Sequence, residues 1–233
     1  MIETVDFYNR FGFFIAKEIT NVQQLKGKML AGSTPRSVLE IATREALKKH
    51  GLKPETDIQF IYVQSVPAIL TAVVSGKAAG GALSAPTTSN AKEAGLNMLV
   101  DIAKANVPGL LLAYGVTEKY LKENPNTIYA FLKGIAEGVA RTKSDPAAAK
   151  RAIGKFTQTN DLKVIDETYD FYAPYWVTSL ALRPEQFQTW FGYLDDKEYP
   201  LFKKTEPKDL YDNSFGESRE VGIPPKNQSG WSD

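Results

Sequence analysis

The sequence predicts an α/β protein: a doubly wound, mainly parallel sheet followed by a helical C-terminal segment. Three observations carry this expectation. Between Leu25 and Ile102, short apolar runs alternate with helix-like stretches, the pattern of successive βαβ units. Three of those runs end in loops rich in serine, threonine and proline: Gly32-Ser33-Thr34-Pro35-Arg36-Ser37, Gln64-Ser65-Val66-Pro67 and Ser84-Ala85-Pro86-Thr87-Thr88. Beyond residue 106 the strand-like runs give way to helical periodicity.

The run 28–32 reads as a strand. Thr34-Pro35 after it has the form of an N-cap followed by proline at the first helical position, and predicts a helix over 35–50. Val38, Leu39, Ala42, Ala46 and Leu47 share its inward side. Lys48, Lys49 and His50 lie in its last turn, where cations complement the helix dipole, and Gly51 supplies a left-handed cap. The run 57–63 alternates Ile58, Phe60 and Tyr62 against Gln59, Ile61 and Val63, as a second strand. A helix over 67–75 stops at Gly76, a small-residue strand occupies 79–83, and a third helix over 87–94 ends at Gly95. The run 97–102 is the fourth strand, and all four are expected to be parallel.

An apolar connector, 107–116, leads into the helical part. Asn124-Pro125 opens a helix with Ile128, Phe131, Leu132, Ile135, Ala136 and Val139 at helical spacing, and Asp145-Pro146 caps the next. The aromatic-rich stretch 161–193 is expected to be helical in two pieces, broken near Pro174 and Pro184. After Arg219 apolar residues are scarce, which predicts a loosely ordered tail.

Composition narrows the function classes. The 28 basic and 27 acidic residues leave a net charge of +1 and are well mixed, so neither a nucleic-acid stripe nor a polybasic membrane patch is indicated. There is no cysteine, which excludes disulfides, thiolate metal sites and a cysteine nucleophile. His50 is the only histidine, and no nucleophile stands near it in sequence. The sequence thus calls for no metal and no cofactor, and for binding more than catalysis.

The three loops are the candidate site. If the apolar runs before them are parallel strands, the loops share the sheet's C-terminal edge, where open α/β sheets bind ligands. Helix N-termini there present unpaired N–H groups and the positive end of the dipole to an anion. The same residues are also ordinary helix caps, and both readings stand at this point. The candidates are Ser33, Thr34, Arg36, Ser37, Gln64, Ser65, Ser84 and Thr87, with Arg36 a charge-assisted donor to a carboxylate, sulfonate or phosphate.

A family resemblance adds to this. Gln24-Leu25-Lys26-Gly27-Lys28, the Gly32-Ser33-Thr34 loop, the stretch from Ile69 to Lys77, Thr117 to Pro125, and Asp209-Leu210-Tyr211-Asp212-Asn213-Ser214-Phe215 resemble, in order and spacing, segments of periplasmic substrate-binding proteins. The similar group is that of nitrate, sulfonate and taurine binders and their thiamine-pyrimidine-synthase-like relatives, of the type 2 periplasmic-binding-protein fold. Ala79-Gly80-Gly81 departs from the family, which usually has an aspartate there. The resemblance begins at the hinge, as though most of the first lobe were lacking. It implies a hinge-crossing segment 1–21, an α/β lobe 22–106 equivalent to lobe two, a hinge return and helical segment 107–218, and the tail 219–233. Tyr114, near the second crossing, joins the ligand candidates on this ground.

The resemblance implies a solute-binding component of an ABC-type importer for a small, anionic solute, working with a transporter permease. A cytosolic enzyme making the thiamine pyrimidine precursor, or a non-transport ligand-sensing or assembly module, is the alternative. It also implies the periplasm, yet Met1 to Asp6 has neither the basic nor the apolar region of a signal peptide, so a chain starting at Met1 would stay in the cytoplasm. The apolar faces of 125–143 and of the segment after Asp161 are expected to fold back on the lobe, to pair with a second copy, or to depend on an upstream piece.

The remaining candidates take structural readings. The aromatic groups Tyr169, Phe171, Tyr172, Tyr175, Trp176 and Phe187, Trp190, Phe191, Tyr193 are read as core. Asp195-Asp196, Asp209 and Asp212 are read as surface or capping groups.

Overall fold

The computed structural model describes residues 3–4, 11–105, 107–176, 181–194, 199–200 and 204–214. The expected tail 219–233 and the pair Asp195-Asp196 lie outside them. The α/β part contains strands β2 (Gly12–Ile15), β3 (Lys28–Gly32), β4 (Ile58–Tyr62), β5 (Gly80–Leu83) and β6 (Asn97–Asp101), and helices α1 (Val38–Lys49), α2 (Pro54–Asp57), α3 (Val66–Val74) and α4 (Thr87–Glu93). A separate two-stranded ribbon pairs β1 (Glu3–Thr4) antiparallel with β7 (Ala113–Tyr114). The helical part follows as α5 (Glu118–Glu123), α6 (Pro125–Ser144), α7 (Pro146–Thr157), α8 (Leu162–Tyr172) and α9 (Glu185–Phe191).

The expected α/β class and mainly parallel sheet are present, with one difference in pairing. Strand order is β4-β3-β5-β2-β6, with β4, β3 and β5 parallel and β2 antiparallel to both β5 and β6. The four predicted strands all point the same way, but β2 separates the fourth from the rest. Burial explains this. β2 reads Gly-Phe-Phe-Ile and is covered on both faces, as a central strand must be. β6 begins with two exposed residues, Asn97 and Met98, and suits the edge.

Helix α1 begins three residues later than Thr34-Pro35 implied. Its N-cap is Ser37, whose hydroxyl accepts from the Glu40 N–H at 3.3 Å. The other boundaries fall close to expectation, because strong local signals end the elements. Gly51, Gly76 and Gly95 all adopt positive φ, a conformation that costs a glycine little.

Among the described residues, the contacts that join the helical part to the α/β part include two hydrogen-bonded seams, so the segment after Asp161 does fold back. At the first, the buried Ser89 hydroxyl of α4 donates to Glu167 of α8 at 2.6 Å, and Lys163 pairs with Glu93 at 3.0 Å. The Ser89 hydrogen bond, with Lys92 nearby, holds the Glu167 carboxyl below the usual carboxylate range. At the second, Tyr193 donates to Glu45 of α1 at 2.6 Å and accepts from Lys48 at 2.8 Å. Leu182 and Phe187 are buried, and the Asn213 side chain bonds both the N–H and the carbonyl of Leu182. On α6, Ile128, Leu132 and Ala136 are buried while Phe131 keeps 46% of its surface exposed.

The Tyr193 seam sets an alkaline limit. Burial and the Glu45 hydrogen bond push the Tyr193 hydroxyl up to about 12. The folded chain therefore retains a proton that the unfolded chain, titrating at about 10, releases. This stabilisation is complete below about pH 10 and is lost as pH rises towards 12; solvent screening at this half-exposed ring limits the loss to about 1 kcal/mol. Tyr193→Phe is expected to lower stability at neutral pH by about 1 kcal/mol and to flatten the alkaline slope. Urea unfolding at neutral and alkaline pH checks both; an unchanged alkaline slope in the variant assigns the slope to other groups.

Candidate functional site

The parallel register brings the three loops to one edge. Gly32 pairs with Tyr62 and Ala31 with Gly81, so β3, β4 and β5 end together. Backbone bonds tie the first two loops directly, Val63 N–H to the Gly32 carbonyl at 3.0 Å and Gln64 N–H to the Ser33 carbonyl at 2.8 Å. Ser33, Thr34, Arg36, Ser37, Gln64, Ser65, Ser84 and Thr87 therefore lie on the C-terminal edge.

Their individual settings differ. The Ser33 hydroxyl donates to Ser37 Oγ at 3.0 Å, linking the loop to the cap of α1. Ser65 caps α3 by accepting from the Ala68 N–H at 3.3 Å, yet its residue is exposed. Thr34 and Gln64 are exposed, Ser84 is half-buried, and Thr87 is buried in the first turn of α4. Arg36 and Gln64 both adopt the left-handed conformation, at φ +58° and +68°, which side chains other than glycine and asparagine seldom take. Tyr114 stands apart: it is half-buried on the β1–β7 ribbon and packs edge-on against Phe131, centroids 4.9 Å apart.

What holds Arg36 in that conformation is Glu40, a residue the sequence candidates omit. Glu40 is 3% exposed in the first turn of α1. Its Oε2 accepts from the Arg36 N–H at 2.6 Å, and its Oε1 accepts from Arg44 Nε at 2.7 Å and the Tyr62 hydroxyl at 3.0 Å. One carboxylate thus joins the first loop, α1 and the end of β4. Burial opposes the charge on Arg44, and the Glu40 carboxylate more than offsets it, so the guanidinium pKa is raised. Burial and the same carboxylate also push the Tyr62 hydroxyl up. Arg44 lies over the Phe60 ring at 4.7 Å, completing the cluster. A signal for this was present: Ser37-Val38-Leu39-Glu40 has capping-box spacing, with the glutamate reaching one residue further back than the standard motif.

The helical part also meets the edge. The Tyr172 hydroxyl, at the end of α8, donates to the Ala85 carbonyl of the third loop at 3.4 Å. The Arg36 guanidinium lies 5.9 Å from the Tyr199 ring. Both aromatics come from the C-terminal half, and Tyr172 belongs to the group read as core; it is half-buried.

His50 is exposed at the C-cap of α1, the opposite end from the first loop. Asp209 caps a short turn by accepting from the Glu206 N–H, and the Ser214 hydrogen bonds hold the Asp212 carboxyl below the usual range. Among the described residues no group of three or more His, Asp or Glu stands ready to hold a metal, and no helix is long and apolar enough to cross a membrane.

A mainly parallel five-stranded sheet with an antiparallel crossing strand and appended helices is an α/β fold of the periplasmic-binding-protein-like kind. Residues 7–149 match the family described as NMT1/THI5 like, and the chain belongs to that family. The periplasmic aliphatic sulphonate binding protein SsuA from Escherichia coli is similar over 99% of this chain and 76% of its own, with 21% identity and a TM-score of 0.65. SsuA from Xanthomonas axonopodis pv. citri, bound to MOPS, is similar over 89% and 69%, with 16% identity and a TM-score of 0.64. The zinc-bound ligand-binding component of an ABC-type import system from Staphylococcus aureus is similar over 94% and 74%, with 13% identity and a TM-score of 0.68. At these identities the likeness is one of fold. No curated protein matches the chain.

Proposed function

We propose that this protein binds a small anionic solute at the C-terminal edge of its sheet and delivers it to an ABC-type importer. The observation that carries this is the convergence of the loops before α1, α3 and α4 on one edge, with the first two stitched by backbone hydrogen bonds. Thr34, Ser65 and Ser84 supply hydroxyl donors, Ser33 does so when its hydroxyl turns from Ser37 to the ligand, Ser37, Gln64 and Thr87 frame them, and Arg36 adds positive charge. Segments 1–21 and 107–116 serve as the two crossings of a hinge, with 22–106 as one lobe and 107–218 as the helical part of the other. Tyr114 would face the ligand only from that second side. In this role the protein works in the periplasm with a transporter permease as its partner, and the exposed face of α6 around Phe131 is available for self-association. Turnover is not part of this role.

A substitution at Ser65 separates capping from binding. Aspartate caps helices as well as serine does, so Ser65→Asp should leave stability within about 0.5 kcal/mol of the parent. The added negative charge at the edge should weaken binding of an alkanesulfonate, taurine or nitrate by about a hundredfold. Calorimetric titration of each solute into parent and variant checks this. Equal affinity in the two proteins, or no binding of any of the three by the parent, would overturn the assignment.

A further inference from the structure

A second concavity lies away from the sheet edge, and its chemistry is distinct. It is a cleft of about 630 Å³ between α7 and α8, roofed by the turn that joins them. This is within the range of about 300–1,000 Å³ typical of small-molecule sites. The floor is made by close helix packing at Gly154: a Cβ there would meet the Ile165 Cδ1 at 3.0 Å and the Thr159 carbonyl at 3.1 Å. A larger residue there would push its neighbours back by a few tenths of an ångström, so glycine suits this close approach, and Ile165 is buried beneath.

The lining carries an unbalanced charge. Lys150, Arg151 and Lys155 face a single carboxylate, Asp166. Lys150 is committed, paired with Asp166 at 2.9 Å and lying 5.4 Å from the Tyr169 ring. Arg151 and Lys155 are exposed and have no partner among the described residues. The Gly154 carbonyl is already occupied by the N–H groups of Gln158 and Thr159.

An apolar side chain stands beside these cations. Leu162 lines the cleft with 74% of its surface exposed. An exposed leucine beside uncommitted cations matches a ligand with a charged head and an apolar tail.

We propose that the α7–α8 cleft is a second binding site, for an amphiphilic carboxylate or similar anion, with Arg151 and Lys155 holding the head and Leu162 the tail. The site is independent of the sheet edge and of the role proposed for it.

Decanoate is a suitable probe, carrying one carboxylate on a straight alkyl chain. Calorimetric titration into the full chain is expected to show one site with a dissociation constant below about 1 mM. Arg151→Ala/Lys155→Ala, at two exposed positions whose change should leave the circular dichroism spectrum unaltered, should weaken binding at least about tenfold. Leu162→Ser should weaken it as well and lower the preference for decanoate over acetate. Absence of saturable heat with the parent, or equal affinity in parent and double variant, would overturn the proposal. So would an equal loss caused by Ser65→Asp, which would place decanoate at the sheet edge. Sedimentation with phosphatidylglycerol vesicles in place of saturable decanoate binding would make the surface a membrane contact and overturn it too.

Discussion

Gly80→Val and Gly81→Val are each expected to destabilise this protein by about 3 kcal/mol, although valine is the better strand former. A Cβ on Gly80 would stand 2.7 Å from Ile15 Cγ2, 2.8 Å from the Phe14 carbonyl oxygen and 2.9 Å from the Phe13 ring. A Cβ on Gly81 would stand 2.4 Å from Ile69 Cγ2 and 3.0 Å from the Ala31 carbonyl oxygen. Backbone atoms are among the obstacles at both sites, so a rotamer change in a neighbour does not relieve them. β5 is hemmed in by β3 and β2 within the sheet, with α3 against the Gly81 face and the Phe13 ring at Gly80. For a chain of this size the loss corresponds to a fall in Tm of about 6–12 °C. Thermal unfolding of the two variants measures it; a variant with parental Tm would show that β5 has room the packing denies.

Glu40→Ala is expected to cost about 3 kcal/mol and to disorder the first loop. Removing one partner of a buried ion pair leaves the other without compensation, which is the costly way to break such a pair. Here the orphaned groups are Arg44, the Tyr62 hydroxyl and the Arg36 N–H. Arg44 keeps its hydrogen bond to the Pro54 carbonyl at 3.2 Å and its contact with Phe60, which limits the loss on that side. The Arg36 N–H loses the acceptor that Glu40 supplies in the left-handed conformation, so the loop that carries Ser33 and Ser37 should loosen. Glu40→Gln, which still offers one acceptor, should fall between parent and alanine variant. Urea unfolding reads the stability, and amide exchange at residues 33–37 reads the loop. Protection at Arg36 that survives Glu40→Ala would show that the loop is held by something else.

Local signals were sufficient for most element boundaries. β3 spans Lys28–Gly32 as its apolar run implies, and Gly76 and Gly95 stop α3 and α4 because their positive φ ends a helix wherever the rest of the chain lies. The sharing of one sheet edge by the three loops was legible for the same reason: strand, loop and helix follow in sequence, and parallel pairing carries each loop to the same end. Charge, composition and the absence of cysteine likewise needed no fold to interpret.

Other features were decided by contacts between residues far apart in sequence. Nothing around Gly12–Ile15 states that this strand inserts antiparallel between β5 and β6; its burial on both faces exists only once the sheet has formed. Ser37 rather than Thr34 caps α1 because Glu40 is drawn towards Tyr62, 22 residues away, and pulls the Arg36 N–H with it. Tyr172 looked like core in a helical aromatic stretch, yet docking of α8 on α4 through Ser89 and Glu167, 78 residues apart, brings its hydroxyl to the third loop. Periodicity and caps act within a few residues and can be read in the chain; burial, charge pairing and docking act across space, and only the folded structure sets them.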